Sequence, residues 1–210
     1  MLYVIKYTGP FGFIKPWTAV RDSETFSQQF LTPSIIEGIE KKLFPELLNE
    51  QGIKKIVRHR LRYSGLSGQQ EQTQPRGVKQ TPEKIKSTTK EIVFSRPKSI
   101  LIRNVLLNPT LFLAFNDRLH AEVASTQHIC LCRNEDILMP TYIDEISNKL
   151  VLEISENEFD NNVDLFYGFE LLFGNCYNSF VVGYNRFNSN EPMYGTLQIF
   201  GDNPLQTNAE

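Results

Sequence analysis

Hydrophobic and polar positions divide the chain into stretches of different period. Leu2 to Tyr7 is rich in β-formers with weak alternation and stops at Thr8-Gly9-Pro10, which predicts a first strand. Phe11, Phe13, Trp17 and Phe26 then stand among Gly, Pro and polar residues. That stretch is too irregular for a helix and too aromatic for a disordered linker, so an ordered loop is expected. Thr32-Pro33 places a capping hydroxyl before a proline at the first helical position, and Ile35, Ile36, Ile39, Leu43 and Leu47 recur at helical spacing. A core-facing helix over about 33–49 follows. From Lys55 to Tyr63 the period changes to two: Val57, His59, Leu61 and Tyr63 fall on one side, and Arg58, Arg60 and Arg62 on the other. Like charges sharing one face of a strand repel, so they call for an anionic partner or interleaved carboxylates.

Residues 64–90 are polar, rich in Gly, Pro and Gln, and nearly devoid of large apolar side chains. Such a segment cannot supply a core and must protrude. Order returns at Glu91. Strands are predicted at 92–94, 100–107 and 111–115, with a tight turn at Asn108-Pro109, a short helix near 117–125 and a strand at 128–132. The succession strand, helix, strand, projection, strands, helix, strand is compatible with an α+β, split βαβ core of ferredoxin-like type, carrying an insertion before its third strand. Candidate strands at 150–154, 165–173, 180–184 and 194–200 form an antiparallel addition, and no internal repeat stands out.

The 210 residues, 40% hydrophobic and 22% charged, suffice for one compact domain, or one with an elaborated extension. The formal net charge of −2 conceals a steep asymmetry. Residues 1–53 carry 5 Lys/Arg and 6 Asp/Glu, residues 54–103 carry 13 and 3, and residues 104–210 carry 4 and 15. A basic segment beside an acidic remainder fits a local polyanion-binding surface, and equally a solvated face that pairs with the acidic half of the same molecule. Three cysteines, Cys130, Cys132 and Cys176, give no disulfide framework and no four-ligand zinc site, so a reducing, cytoplasmic setting is expected. No leader pattern opens the sequence, and no run of about 18 apolar residues occurs, so neither secretion nor membrane spanning is expected.

Phosphate-loop, dinucleotide, zinc-protease and nucleophile-elbow motifs are absent, and no metal or cofactor is expected. His59, His120 and His128 lie apart with no ligand partner at helical or turn spacing, which favours structural or exposed roles. His59 with Tyr63 and Lys55 offers the residue types of metal-free phosphoryl chemistry on RNA, but on the apolar face of their strand, where burial competes. Phe11, Phe13 and Trp17 are candidates for stacking on unpaired bases or for plugging the core, with Lys15 and Trp17 the better placed for exposure.

Two runs resemble a known family. Tyr7-Thr-Gly-Pro-Phe-Gly-Phe followed by Phe30-Leu-Thr-Pro-Ser-Ile-Ile-Glu-Gly-Ile-Glu-Lys-Lys-Leu-Phe is similar to the opening of the CRISPR-associated RAMP subunit numbered fifth among the Cas families. Val105-Leu-Leu-Asn-Pro-Thr-Leu-Phe-Leu-Ala-Phe resembles that family's Asn-Pro strand. The resemblance covers about residues 1–135, and a Gly-rich loop common near the C-terminus of RAMP proteins is replaced by scattered Gly168, Gly174, Gly183, Gly195 and Gly201.

It implies a ferredoxin-like (RRM-like) RAMP domain over 1–135 with a long basic β-hairpin, or thumb, at about 63–98, and a β-rich C-terminal region over 136–210. It further implies a noncatalytic, cytoplasmic RNA-binding subunit of a type I Cascade ribonucleoprotein in antiviral defence. Such a subunit caps the 5′ handle of crRNA, contacts the backbone and large subunits, and meets target DNA through the complex. Expected RNA contacts are Lys15, Trp17, Arg21, Arg58, Arg60, Arg62, Arg76, Lys79, Lys84, Lys86, Lys90, Arg96 and Lys98. The alternatives are a metal-independent pre-crRNA endoribonuclease of the same family, a RAMP subunit of a type III effector, and a transposon-associated Cascade. From another class altogether, a protein-interaction module would place the basic segment against an acidic partner.

Overall fold

A computed structural model describes residues 1–16, 23–73, 79–86, 89–95, 99–143, 148–185 and 188–201, with the backbone course alone for the strand residues within 73–98. The first strand, β1 (Leu2–Thr8), buries Leu2, Val4, Ile5 and Tyr7. Two short strands follow, β2 (Phe11–Gly12) and β3 (Glu24–Phe26). Helix α1 (Pro33–Leu43) buries Ile36, Ile39, Glu40 and Leu43. It stops six residues earlier than the apolar spacing predicts, because Pro45 has no amide to donate and disfavours a helical Phe44. Leu47 reaches the core through a single 3₁₀ turn, Pro45–Leu47, instead. The Thr32 hydroxyl pairs with that of Ser34 at 3.2 Å rather than capping an amide.

The chain continues through β4 (Ile56–Arg62), β5 (Gly65–Thr73), β6 (Lys79–Lys86), β7 (Thr89–Ser95), β8 (Ser99–Leu107) and β9 (Thr110–Phe115). Helix α2 (Arg118–Ser125) is capped by the Asp117 side chain, which accepts from the Leu119 amide. Then come β10 (Ile129–Cys130), β11 (Ile137–Thr141), β12 (Val151–Ile154), α3 (Glu156–Asn161), β13 (Gly168–Phe173), β14 (Phe180–Asn185) and β15 (Glu191–Phe200). Asn108, at φ 46°, turns β8 into β9 just before Pro109, as the Asn-Pro pair predicts.

The result is a mixed α/β fold with a predominantly antiparallel sheet and few helices. The main sheet runs β10-β11-β1-β9-β4-β13-β15-β14, with β12 also paired to β1. β10 is shorter than predicted and lies one strand away from β1, whose free edge is taken by β11 and β12. The segment beyond residue 135 therefore supplies strands on both sides of β1-β9-β4. One face of these central strands packs Ile5, Tyr7, Leu61, Leu111, Leu113 and Phe115 against α1 and α2. The other packs Leu2, Val4, Phe112 and Ala114 against Ile143, Ile154, Phe159 and Phe166. β9 is consequently buried at all six positions, and on the arginine face of β4 Arg60 is wholly buried while Arg58 and Arg62 are partly exposed. Among the described residues no helix is long and apolar enough to cross a membrane.

Candidate nucleic-acid interface

β4 carries the arginine row, and its position is fixed from both ends. Glu40 of α1, wholly buried, accepts the amides of Lys54, Lys55 and Ile56 at 2.8, 2.5 and 2.7 Å, clamping the strand's first turn of backbone to the helix. On the far edge β13 approaches so closely that a Cβ at Gly168 would lie 2.6 Å from the Leu61 carbonyl oxygen, and its φ of +145° also requires glycine. A bulge between Ile56 and Arg58 breaks the alternation expected from Val57, which is 40% exposed and not part of the inward row.

Beyond the bulge the alternation holds, and the three arginines share a face. Their partners are carboxylates of this chain. Arg58 donates to Glu170 at 2.9 Å and to Asp160 at 2.7 Å. Arg60, fully buried, donates to Glu170 at 3.0 Å, to Asp160 at 3.0 Å, and to the carbonyls of Phe159 and Phe166 at 2.9 and 2.6 Å. Its guanidinium also lies over the Phe200 ring, 3.4 Å from the centroid. Hydrogen bonding to Glu170 raises the Arg58 pKa further than burial lowers it, whereas burial lowers that of Arg60 despite the same carboxylate. Burial pushes the Asp160 carboxyl up, but Arg58 and Arg60 together hold it below the ordinary range. Two cations thus meet two anions inside the fold. Arg58 and Arg60, expected to face RNA, are paired with carboxylates of α3 and β13.

Arg62 differs. It is half-buried, donates among the described residues only to the Leu165 carbonyl at 3.2 Å, and lies 4.1 Å from the Tyr167 ring centroid. None of the ion pairs among the described residues includes it.

The three residue types of the phosphoryl-transfer alternative have separate surroundings. His59 is 4% exposed, stacked on Phe173 at 5.4 Å, and its Nε2 has no hydrogen-bond partner. Burial lowers its pKa to about 4, so the ring is neutral at pH 7. The Tyr63 hydroxyl donates to Gln29 at 2.6 Å, and burial raises its pKa to about 12. Lys55 pairs with Glu46 at 2.5 Å and lies over the Phe44 ring. Among the described residues no group of His, Cys, Asp and Glu side chains is placed to hold a metal ion.

The basic projection consists of paired strands. β5 and β8 match from Gly65 with Leu107 to Thr73 with Ser99, and β8 takes β2 and β3 on its other edge. Arg103 ties this base together, donating to Glu71 at 3.2 Å and to Thr25 at 2.8 Å. Farther along, β6 and β7 match from Lys79 with Ser95 to Lys86 with Thr89, forming a two-stranded sheet of their own. In that register Lys84 stands opposite Lys90, and Glu83 opposite Glu91. Residues 74–98 hold 7 Lys/Arg and 2 Asp/Glu. The base exposes apolar side chains as well, with Phe26 at 55% and Ile100 at 61%.

Of the remaining expected contacts, Lys15 is exposed, and Lys79, Lys84, Lys86 and Lys90 lie on β6 and β7. Trp17, Arg21, Arg76, Arg96 and Lys98 fall outside the described residues. Phe13 is buried beside Arg133, which assigns it to the core. Sequence reasoning missed Asp160, Glu170 and α3. Ser155-x-x-Glu158 is a capping box directly ahead of Phe159 and marks the helix, and Glu170 is a lone carboxylate in an otherwise apolar strand.

No family model and no curated protein matches this sequence. Among solved structures, a chain of a "CRISPR RNA-guided surveillance complex" superposes with a TM-score of 0.47 at 12% identity, over 95% of this chain and 88% of that one.

Proposed function

We propose that this chain is a noncatalytic RNA-binding subunit of a Cascade-type CRISPR effector, gripping the 5′ handle of the guide RNA with the hairpin of β5 to β8. The observation that carries this reading is the register of β6 and β7. Like charges stand opposite one another on a strand pair that, among the described residues, pairs with no other strand. Lys84 facing Lys90 costs stability in the free protein and is relieved by a polyanion. The strand order β1-β9-β4, with α1 and α2 on one face, is compatible with a split βαβ unit and supports the reading, as does the hairpin's departure between β4 and β9, where the resemblance puts the thumb. Lys15, Arg62 and the hairpin residues would hold phosphates and splayed bases, with selectivity from single-stranded readout. Backbone and large subunits of the complex would be its protein partners.

The test is a salt series of binding to a short RNA bearing the handle, against a scrambled RNA of equal length, followed by gel analysis of the RNA. Selective binding of intact RNA with a steep salt slope supports the proposal. Equal affinity for both RNAs refutes handle recognition, and specific cutting replaces it with the endoribonuclease alternative.

A further inference from the structure

The three arginines of β4 have three different fates, and the last is unlike the others. Arg58 and Arg60 each meet two carboxylates. Arg62, half-buried against Tyr167 and Phe112, has one carbonyl and no carboxylate among the described residues. A guanidinium presents five N–H donors in a planar fork, so most of this one's donors have no acceptor among the described residues, and none of its nitrogens is fully buried without one. Those donors therefore reach solvent, where an incoming anion can meet them. Across the sheet, in register and on the same face, stand Thr110 of β9 and Thr8 of β1, the latter 3.5 Å from the Thr141 hydroxyl of β11. Arg62 ends β4, and three residues later Gly65 begins the hairpin.

The geometry points to an anion subsite at the root of the hairpin, in which Arg62 holds one backbone phosphate of the bound RNA while Arg58 and Arg60 serve the fold alone. This rests on the RNA-binding reading and deepens it. Tyr167 stacks on the guanidinium and the Leu165 carbonyl anchors one end, so the fork is held in place before the phosphate arrives. Arg62 sets the register of the strand on the protein, and the hairpin adds affinity.

Two arms test it on the full chain. In the first, RNA binding is followed against salt for the wild type, Arg62→Gln and Arg60→Gln, with thermal midpoints measured for each. Arg62→Gln should lower affinity by roughly tenfold and the salt slope by about one, with little change of midpoint, whereas Arg60→Gln should lower the midpoint sharply. In the second, inorganic phosphate is compared with chloride at equal ionic strength. Phosphate should raise the midpoint of the wild type and not that of Arg62→Gln. An Arg62-dependent response in either arm supports the subsite, and its absence in both overturns it. A midpoint lost as steeply in Arg62→Gln as in Arg60→Gln assigns Arg62 to the fold and also overturns it. If the wild type binds no RNA yet responds to phosphate through Arg62, the RNA reading fails and the subsite stands. If it binds RNA with neither response dependent on Arg62, the subsite fails and the RNA reading stands.

Discussion

Glu170 shows how much a single residue decides in this molecule. Its carboxylate, 1% exposed, is shared by Arg58 and by the fully buried Arg60. Replacing one member of such a set strands the remaining charge in a dry interior, and Glu170→Gln should therefore cost about 3–5 kcal/mol. A urea titration reads this as a lower midpoint at unchanged slope. His59, beside the same cluster, gives the fold an acid sensitivity. Burial, with Arg58 and Arg60 adding to it against Glu170, puts its pKa at about 4, well below the usual value of 6.5. Between these values the unfolded chain takes up a proton that the folded one refuses. Stability is thus full above about pH 6.5 and declines as pH falls to about 4, by about 3 kcal/mol for this group. Asp160, held low by the arginines, acts in the same direction, so the His59 share is isolated by comparing wild type with His59→Gln, whose unfolding free energy should vary less over that window.

At the scale of elements, local pattern and observed structure agree where a segment's own chemistry governs it. The alternation of β4, the turn at Asn108 and the start of α1 were all legible, because turn residues and spacing act over a few positions. Pro45 overrode the helical spacing that ran on to Leu47, and the bulge at Val57 moved one residue out of the apolar row. The polar stretch 64–90 carries no core signal, yet β5 and β6 run through it, held by backbone bonding to β8 and β7. That origin yields a prediction for the hairpin alone. Lys90→Glu replaces a like-charged cross-strand pair with Lys84 by an opposite one, which should leave the protein as stable as before or slightly more so. RNA affinity should nevertheless fall and the salt slope shrink by about two, since one positive charge is lost and one negative gained. Loss of both stability and binding would mean that the register, rather than the charge, had been disturbed.

For the whole molecule, the hairpin tip and the main sheet are separate concerns. β6 and β7 pair only with each other among the described residues, so joining Thr73 to Ser99 through Asn-Gly, in place of residues 74–98, should keep the thermal midpoint within a few degrees while removing most salt-dependent RNA binding. A collapse of the midpoint would show that the tip contributes to the core. The sequence by itself determined the periods of the strands and helices, the sharing of one face by Arg58, Arg60 and Arg62, and the concentration of basic charge between 54 and 103. These are consequences of backbone geometry and composition, which act within a few residues or are simply counted. Only the tertiary structure decided what lies on each face. Arg58 meets Asp160 across 102 positions of sequence, and Arg60 meets Glu170 across 110. Periodicity fixes the direction in which a side chain points, but whether it finds water, a carboxylate or an open ledge depends on which remote segment folds over it.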